Sequence, residues 1–240
     1  MATPSLLLLL ADGRFPAGAH AHSGGLEAAV AAGRVTDLAT LEAFLVGRLA
    51  TAGLVGAAFA AAAHRAGALA EPAVRSAALG ARAVGLAARA RLDAELDART
   101  ASPALRAVSR RQGRALLRAG RAIWPDAPFA DLPATPGGAH QPLVLGLLCA
   151  AAGLSRVETA TIAAYGTVTG AASAGVRLLG LDPYRVQALL VGLADACDGT
   201  AADAARAADD PPERLPAAAA PLADIHAEIH ATWEVRLFAS

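Results

Sequence analysis

Residues 102–125 read SPALRAVSRRQGRALLRAGRAIWP, and at about 100° per residue the stretch divides into two sides. Leu105, Val108, Ala115, Leu116, Ala119 and Ile123 form one stripe, while Arg106, Arg110, Arg111, Arg114, Arg118 and Arg121 fall opposite. Ser102 supplies a helix N-cap, and Pro103 takes the first helical position, where a missing N–H is harmless. No acid interrupts the run. The stretch is an amphipathic helix with one strongly positive face.

The same helical period recurs outward in both directions. Residues 23–32 start on Ser23 and stop at Gly33, and Thr36 or Asp37 caps a helix that lines up Leu38, Leu41, Phe44, Leu45 and Leu49. Residues 53–66 form an alanine-rich buried helix, and Pro72 opens another that runs to about Asp97. Beyond the arginine helix, residues 126–141 hold Pro128, Pro133, Pro136, Gly137 and Gly138 and read as a long internal loop. Helices resume over 142–152, 155–179, 182–198, 201–208 and 222–233, with a proline-rich, acidic linker at 209–221 and an apolar tail at 234–240. No segment sustains a strand's period of two. Residues 1–240 are therefore expected to be all-α, a single-domain bundle of roughly eight to ten helices.

Composition agrees. Hydrophobic residues make up 55%, dominated by the strong helix formers alanine and leucine, against 4% aromatics. All 21 basic residues are arginine, which excludes a lysine nucleophile, a Schiff base or a phosphate-loop lysine. The net charge of zero is unevenly spread: residues 1–125 carry +7 and residues 126–240 carry −7. Cys149 and Cys197 lack CxxC spacing and read as reduced core thiols. The Leu6–Leu10 run is too short for a signal sequence, and no stretch makes a convincing membrane span. A cytoplasmic protein is the expectation.

Few residues offer chemistry. His226 and His230 stand four apart on one helix face, and His20 and His22 flank Ala21, but neither pair has a third ligand at metal-site spacing. Weak, transient metal contact at His20 and His22, or a helical metal-binding or redox enzyme built on these four histidines, is the alternative to surface or interface roles. Glycine-rich nucleotide motifs are absent. The arginine face, with Arg110, Arg114 and Arg118 at its centre, is either solvated and paired with Asp93, Glu95 and Asp97, or a docking surface. Nucleic acid is the weaker partner, because no aromatic interleaves the arginines. Arg177, in an otherwise apolar helix, either snorkels, clamps the structure or forms an interface hot spot with Tyr184 and Arg185. Trp233, Val235, Leu237 and Phe238 demand burial on the chain's own core or in a partner's groove.

Four stretches together carry a resemblance. Leu7–Leu10, Phe15-Pro16-Ala17-Gly18 and Ser23-Gly24-Gly25-Leu26-Glu27 open the chain. Ser109-Arg110-Arg111-Gln112-Gly113-Arg114 with Leu116-Leu117 follows, then residues 140–148, and then 165–179 ending in Ala174-Gly175-Val176-Arg177-Leu178. With these motifs the sequence resembles the urease accessory protein UreF family across nearly its whole length. It departs at Ala19-His20-Ala21-His22 and at residues 179–187, where LGLDPYRVQ stands in place of the family's usual PLGQTxGQ. The resemblance implies an all-α homodimer with no catalytic residues and no cofactor. It would bind the UreD/UreH-type accessory protein and the GTPase UreG, and assist nickel delivery to apo-urease, without nucleic acid or membrane. Ser23, Glu27, Arg177, Tyr184, Arg185, Trp233, Arg236, Leu237 and Phe238 are the expected partner-binding residues.

Overall fold

The computed structural model describes residues 4–68 and 75–240. Its helices are α1 (Pro4–Ala11), α2 (Leu26–Ala31), α3 (Leu38–Arg48), α4 (Leu54–Ala68), α5 (Arg75–Arg99), α6 (Pro103–Ile123), α7 (Gln141–Ala151), α8 (Arg156–Leu179), α9 (Pro183–Gly192), α10 (Ala194–Ala207) and α11 (Pro221–Ala231). No strand occurs among the described residues. The expected start of α5 at Pro72 lies outside them.

Alanine decides the centre. Ala57, Ala58, Ala60, Ala61 and Ala63 of α4, with Phe59, are wholly buried, and α7, α8 and α10 surround them. Methyl-sized side chains let helix axes approach closely. At the α4–α7 crossing the approach is so close that a Cβ on Gly146 would lie 2.3 Å from the Ala60 carbonyl. One hydrophobic core runs from Leu10 to Phe238.

A π-helical turn at Leu49–Gly53 joins α3 to α4 without a break. Its wider turn shifts the helical register; upstream α3 lies on α8, with Leu41 beside Gly175, while downstream the alanines of α4 face α7, α8 and α10. By length and composition the resulting rod, Leu38–Gly67, matches a membrane span. Its middle, however, is sheathed by α7, α8 and α10. That is the environment of a core helix.

Local chemistry sets the helix ends. Asp37 and Thr40 form a reciprocal capping box on α3, as do Ser155 and Glu158 on α8. Ser102 caps α6 by accepting from the Leu105 amide, and Asp182 caps α9 by accepting from the Tyr184 amide. Such a cap contributes about 1 kcal/mol. The left-handed Gly180 (φ 62°) ends α8.

The structure differs from the sequence reading at four places. The helix expected to start on Ser23 begins at Leu26, behind the left-handed Gly25 (φ 90°). Residues 6–10, read only as an apolar run, form most of α1, which buries Leu10 and lies on α8. The expected break near residues 198–201 moves to Leu193, whose amide bonds back to Leu189 and Leu190 in a tightened last turn. Ala194 then starts α10 with Asp195 in its first turn, and Gly199 stays helical inside it. The two loops are also firmly held. Phe129 packs against Gly120, and Arg99 donates to the carbonyls of Pro212, Glu213, Leu215 and Pro216.

Candidate functional site

The tail folds back onto the residues that open the chain. Glu27, at the start of α2, is buried, and its carboxylate accepts three hydrogen bonds. Leu237 N donates to Oε1 at 2.7 Å, Phe238 N donates to Oε2 at 3.0 Å, and His230 Nε2 lies 2.9 Å from Oε2. Next to it, Ser23 N and Ser23 Oγ both donate to the Ser240 carbonyl, at 2.7 and 2.8 Å. Ala239 N donates to Ala21 O, and His22 Nδ1 lies 2.7 Å from Ser240 Oγ. The tail is thus fastened by a carboxylate, a serine and two histidines spread over residues 20–27 and 230.

Electrostatics favour this closure at neutral pH. Burial alone would raise the Glu27 carboxyl, but the hydrogen bonds from His230, Leu237 and Phe238 outweigh it and hold the group below the usual carboxylate range. Burial, then the charges of Arg111 and His20, press His22 down to about 4, so its ring is neutral at pH 7. Phe238 is buried beneath Arg177, whose guanidinium carbon sits 4.7 Å from the ring centroid. Arg177 is itself exposed. It therefore reaches solvent over an aromatic face, which removes the problem of a charge in an apolar helix.

The other expected residues are turned to solvent. Tyr184 is 85% exposed, Val235 89% and Leu237 67%, and Arg185 and Arg236 are also exposed. Trp233 is half-buried with its ring 4.8 Å from that of His230. Of the expected partner-binding set, Ser23, Glu27 and Phe238 are thus committed to contacts inside the chain. Arg177, Tyr184, Arg185, Arg236 and Leu237 present themselves at the surface.

The arginine helix splits along its length. Arg110 is paired at 3.0 Å with the buried Asp93 and at 2.9 Å with Asp97. It also donates to Thr135 Oγ1 and the Gly138 carbonyl. Arg106 donates to the carbonyls of Thr100 and Ala101. For Arg110 the internal pairing expected with Asp93 and Asp97 is what the fold contains, whereas Arg106 is spent on backbone carbonyls. Arg114 reaches the Gly137 carbonyl, and Arg111, Arg114, Arg118 and Arg121 remain exposed.

Beside Arg110 sits an arrangement that sequence spacing does not reveal. The wholly buried His140 lies 3.0 Å from Ser109 Oγ and 2.8 Å from Asp97 Oδ1. Serine, histidine and aspartate in contact resemble a nucleophile with its base. Here Ser109 Oγ also accepts from the Gln141 amide at the start of α7, and Asp97 is already neutralised by Arg110. The three residues join α5, α6 and α7, and their hydrogen-bonding capacity is spent on that junction. His226 and His230 do not form a pair, since His230 is turned inward to Glu27. Among the described residues no three of His, Cys, Asp and Glu converge as a metal-binding group. Burial lifts the Cys149 thiol to about 12 and keeps it protonated.

Glu27 with His230, and Asp93 with His140, were the associations missed from sequence. They bridge 203 and 47 residues respectively. Only the unusual burial of an acid and a histidine on separate helices hints at them, and single-chain periodicity does not report which meets which.

Comparison with known proteins gives one consistent family. A sequence model of the UreF family matches residues 35–194. The chain is 45% identical over 240 residues to the urease accessory protein UreF of Mycolicibacterium vanbaalenii, covering the whole of both chains. It is 44% identical over 240 residues to that of Mycobacterium marinum, again covering both chains fully. To that of Mycobacterium tuberculosis it is 44% identical over 204 residues, covering 85% of this chain and 86% of the relative.

Proposed function

The chain belongs to the UreF family of urease accessory proteins, and from that membership we propose that it acts as a scaffold joining other maturation factors during nickel insertion into apo-urease. Its relatives are named as accessory proteins rather than enzymes. Its own best serine–histidine–aspartate contact is consumed in packing. In this reading a homodimer of the chain binds the UreD/UreH-type accessory protein, recruits the GTPase UreG and regulates its nucleotide cycle.

The observation that carries the reading is the surface around the docked tail. Buried Phe238 lies under exposed Arg177 and is flanked in the chain by exposed Val235, Arg236 and Leu237, and exposed Tyr184 and Arg185 open α9, the helix that follows Arg177. Tyrosine and arginine around an apolar centre are the composition of a protein–protein hot spot. Exposed Val235 and Leu237 next to them leave apolar surface that a partner would bury.

Size-exclusion chromatography with light scattering tests this directly. The protein is run alone and then mixed with UreG and the UreD/UreH-type protein from the same source. A dimer that enters a defined complex with both is expected, and Tyr184→Ala with Arg177→Ala should weaken that complex. A protein that elutes apart from both partners refutes the scaffold.

A further inference from the structure

Four further arginines of α6 keep a charge that no described carboxylate pairs after the fold has used Arg106 and Arg110, although Arg114 also reaches the Gly137 carbonyl. Arg111, Arg114, Arg118 and Arg121 are exposed, and none of them ion-pairs with a carboxylate among the described residues. Their spacing of three, four and three places them on roughly 80° of helix surface and about 15 Å of length. Like charges three or four apart on a helix repel by a few tenths of a kcal/mol per pair. α6 holds no acid to relieve them. The strip is a standing electrostatic cost within the chain, and a counter-charge from outside removes it.

The strip is also rigidly backed. A Cβ on Gly113 would lie 2.2 Å from the Ala139 carbonyl, and one on Gly120 would lie 2.9 Å from the Phe129 ring. Arg110 ties the same helix to α5 through Asp93 and Asp97. A surface fixed in this way loses little entropy on binding.

A second copy of the chain supplies a poor complement. Asp203 is paired with Arg206, Asp209 with Arg156, Glu213 with Arg91, and Glu95 with Arg91 and Arg99. The exposed carboxylates that no arginine pairs, among them Glu42, Asp126, Asp195, Asp198, Asp210 and Glu234, are divided among α3, α10, two loops and the tail, so no single element among the described residues presents a row of them to the strip. Nucleic acid is disfavoured as well, since no aromatic stands among the four arginines and the chain has no net positive charge.

We propose that Arg111, Arg114, Arg118 and Arg121 form a docking strip for another protein, one that presents a row of carboxylates over about 15 Å, such as an acidic helix face. The strip adds a second contact to the scaffold reading and does not depend on it.

The test uses fluorescence anisotropy with a labelled helical peptide carrying glutamates at the same three-four-three spacing, beside its glutamine twin. The full-length protein is expected to prefer the glutamate peptide by about ten-fold at roughly 50 mM salt, with most of that preference lost near 200 mM. The triple variant Arg111→Glu, Arg118→Glu, Arg121→Glu should lose the preference while its far-UV circular dichroism is unchanged. Arg34→Glu, exposed elsewhere, should retain it. Equal binding by the wild type and the triple variant overturns the proposal, as does tighter binding of a single-stranded DNA oligomer than of the peptide. A wild type that keeps the glutamate preference yet binds neither maturation partner refutes the scaffold and leaves the strip standing.

Discussion

Replacing Glu27 with alanine should release the tail while leaving the bundle folded. Each hydrogen bond to a charged group contributes about 1.5–3 kcal/mol, and Glu27 accepts three of them from His230, Leu237 and Phe238. Burial of Phe238 adds about 2 kcal/mol, and the stack of Arg177 on its ring adds about 1 kcal/mol. Against these, fixing the backbone of residues 234–240 costs about 1 kcal/mol per residue. With the carboxylate present the balance is about 2 kcal/mol in favour of docking, or roughly thirty-fold protection of the tail amides. Without it the ordering cost exceeds what Phe238 contributes, and the tail leaves. Hydrogen exchange read by mass spectrometry on the final peptide is the assay. The Leu237 and Phe238 amides should exchange near the unfolded rate in Glu27→Ala. The global melting temperature should fall by only about 4–8 °C, because the loss is capped at the docking free energy. Full protection of those amides in the variant would show that Glu27 is not the anchor.

Acid should open the same contact. His22 sits at about 4 when docked, below its ordinary value, and Glu27 is likewise held low, so for both groups the undocked state binds protons more readily. Docking is therefore strongest at neutral pH, weakens as pH falls from about 6.5 toward 4, and weakens further as the Glu27 carboxyl titrates; tail exchange corrected for intrinsic rate, flat across this range, would contradict it. Gly146→Ala should destabilise the α4–α7 crossing by about 3 kcal/mol and lower the melting temperature by roughly 6–12 °C, since its Cβ would lie within 3 Å of Ala60 O and His64 N. Arg48 offers the reverse case: its Nε is buried without a hydrogen-bond partner, and burial presses the guanidinium down to about 10. Arg48→Met should melt no lower than wild type by calorimetry.

Sequence pattern revealed the helices whose ends carry their own chemistry. Ser102–Pro103, Asp37 with Thr40, and Ser155 with Glu158 each close a cap within three or four residues, so the local string contains the whole signal. Sequence puts the α9–α10 break near Gly199, whereas the real interruption follows Gly192 at Leu193; both glycines keep a negative φ, so the residue type alone does not distinguish the two positions. The arginine face was legible as a face, but not its division. Arg106 and Arg110 lie at one edge of it, and only the arrival of α5 and the 135–140 loop turns that edge inward. Phe238 was recognised as needing burial, yet its site is built from α2, α8 and α11, and periodicity cannot locate a residue relative to helices so far away.

The closure of Ser23 and Glu27 by the tail has a consequence in time. Ser23 meets Ser240 across 217 residues, and Glu27 meets Leu237 across 210. At a synthesis rate of roughly 5–20 residues per second, Glu27 emerges about 10–40 seconds before its amide donors are made. Throughout that interval the opening segment is an uncovered acceptor on a growing chain. Residues 237–240 seal it, so the face closes only after all the helices between the two halves of the contact have been made.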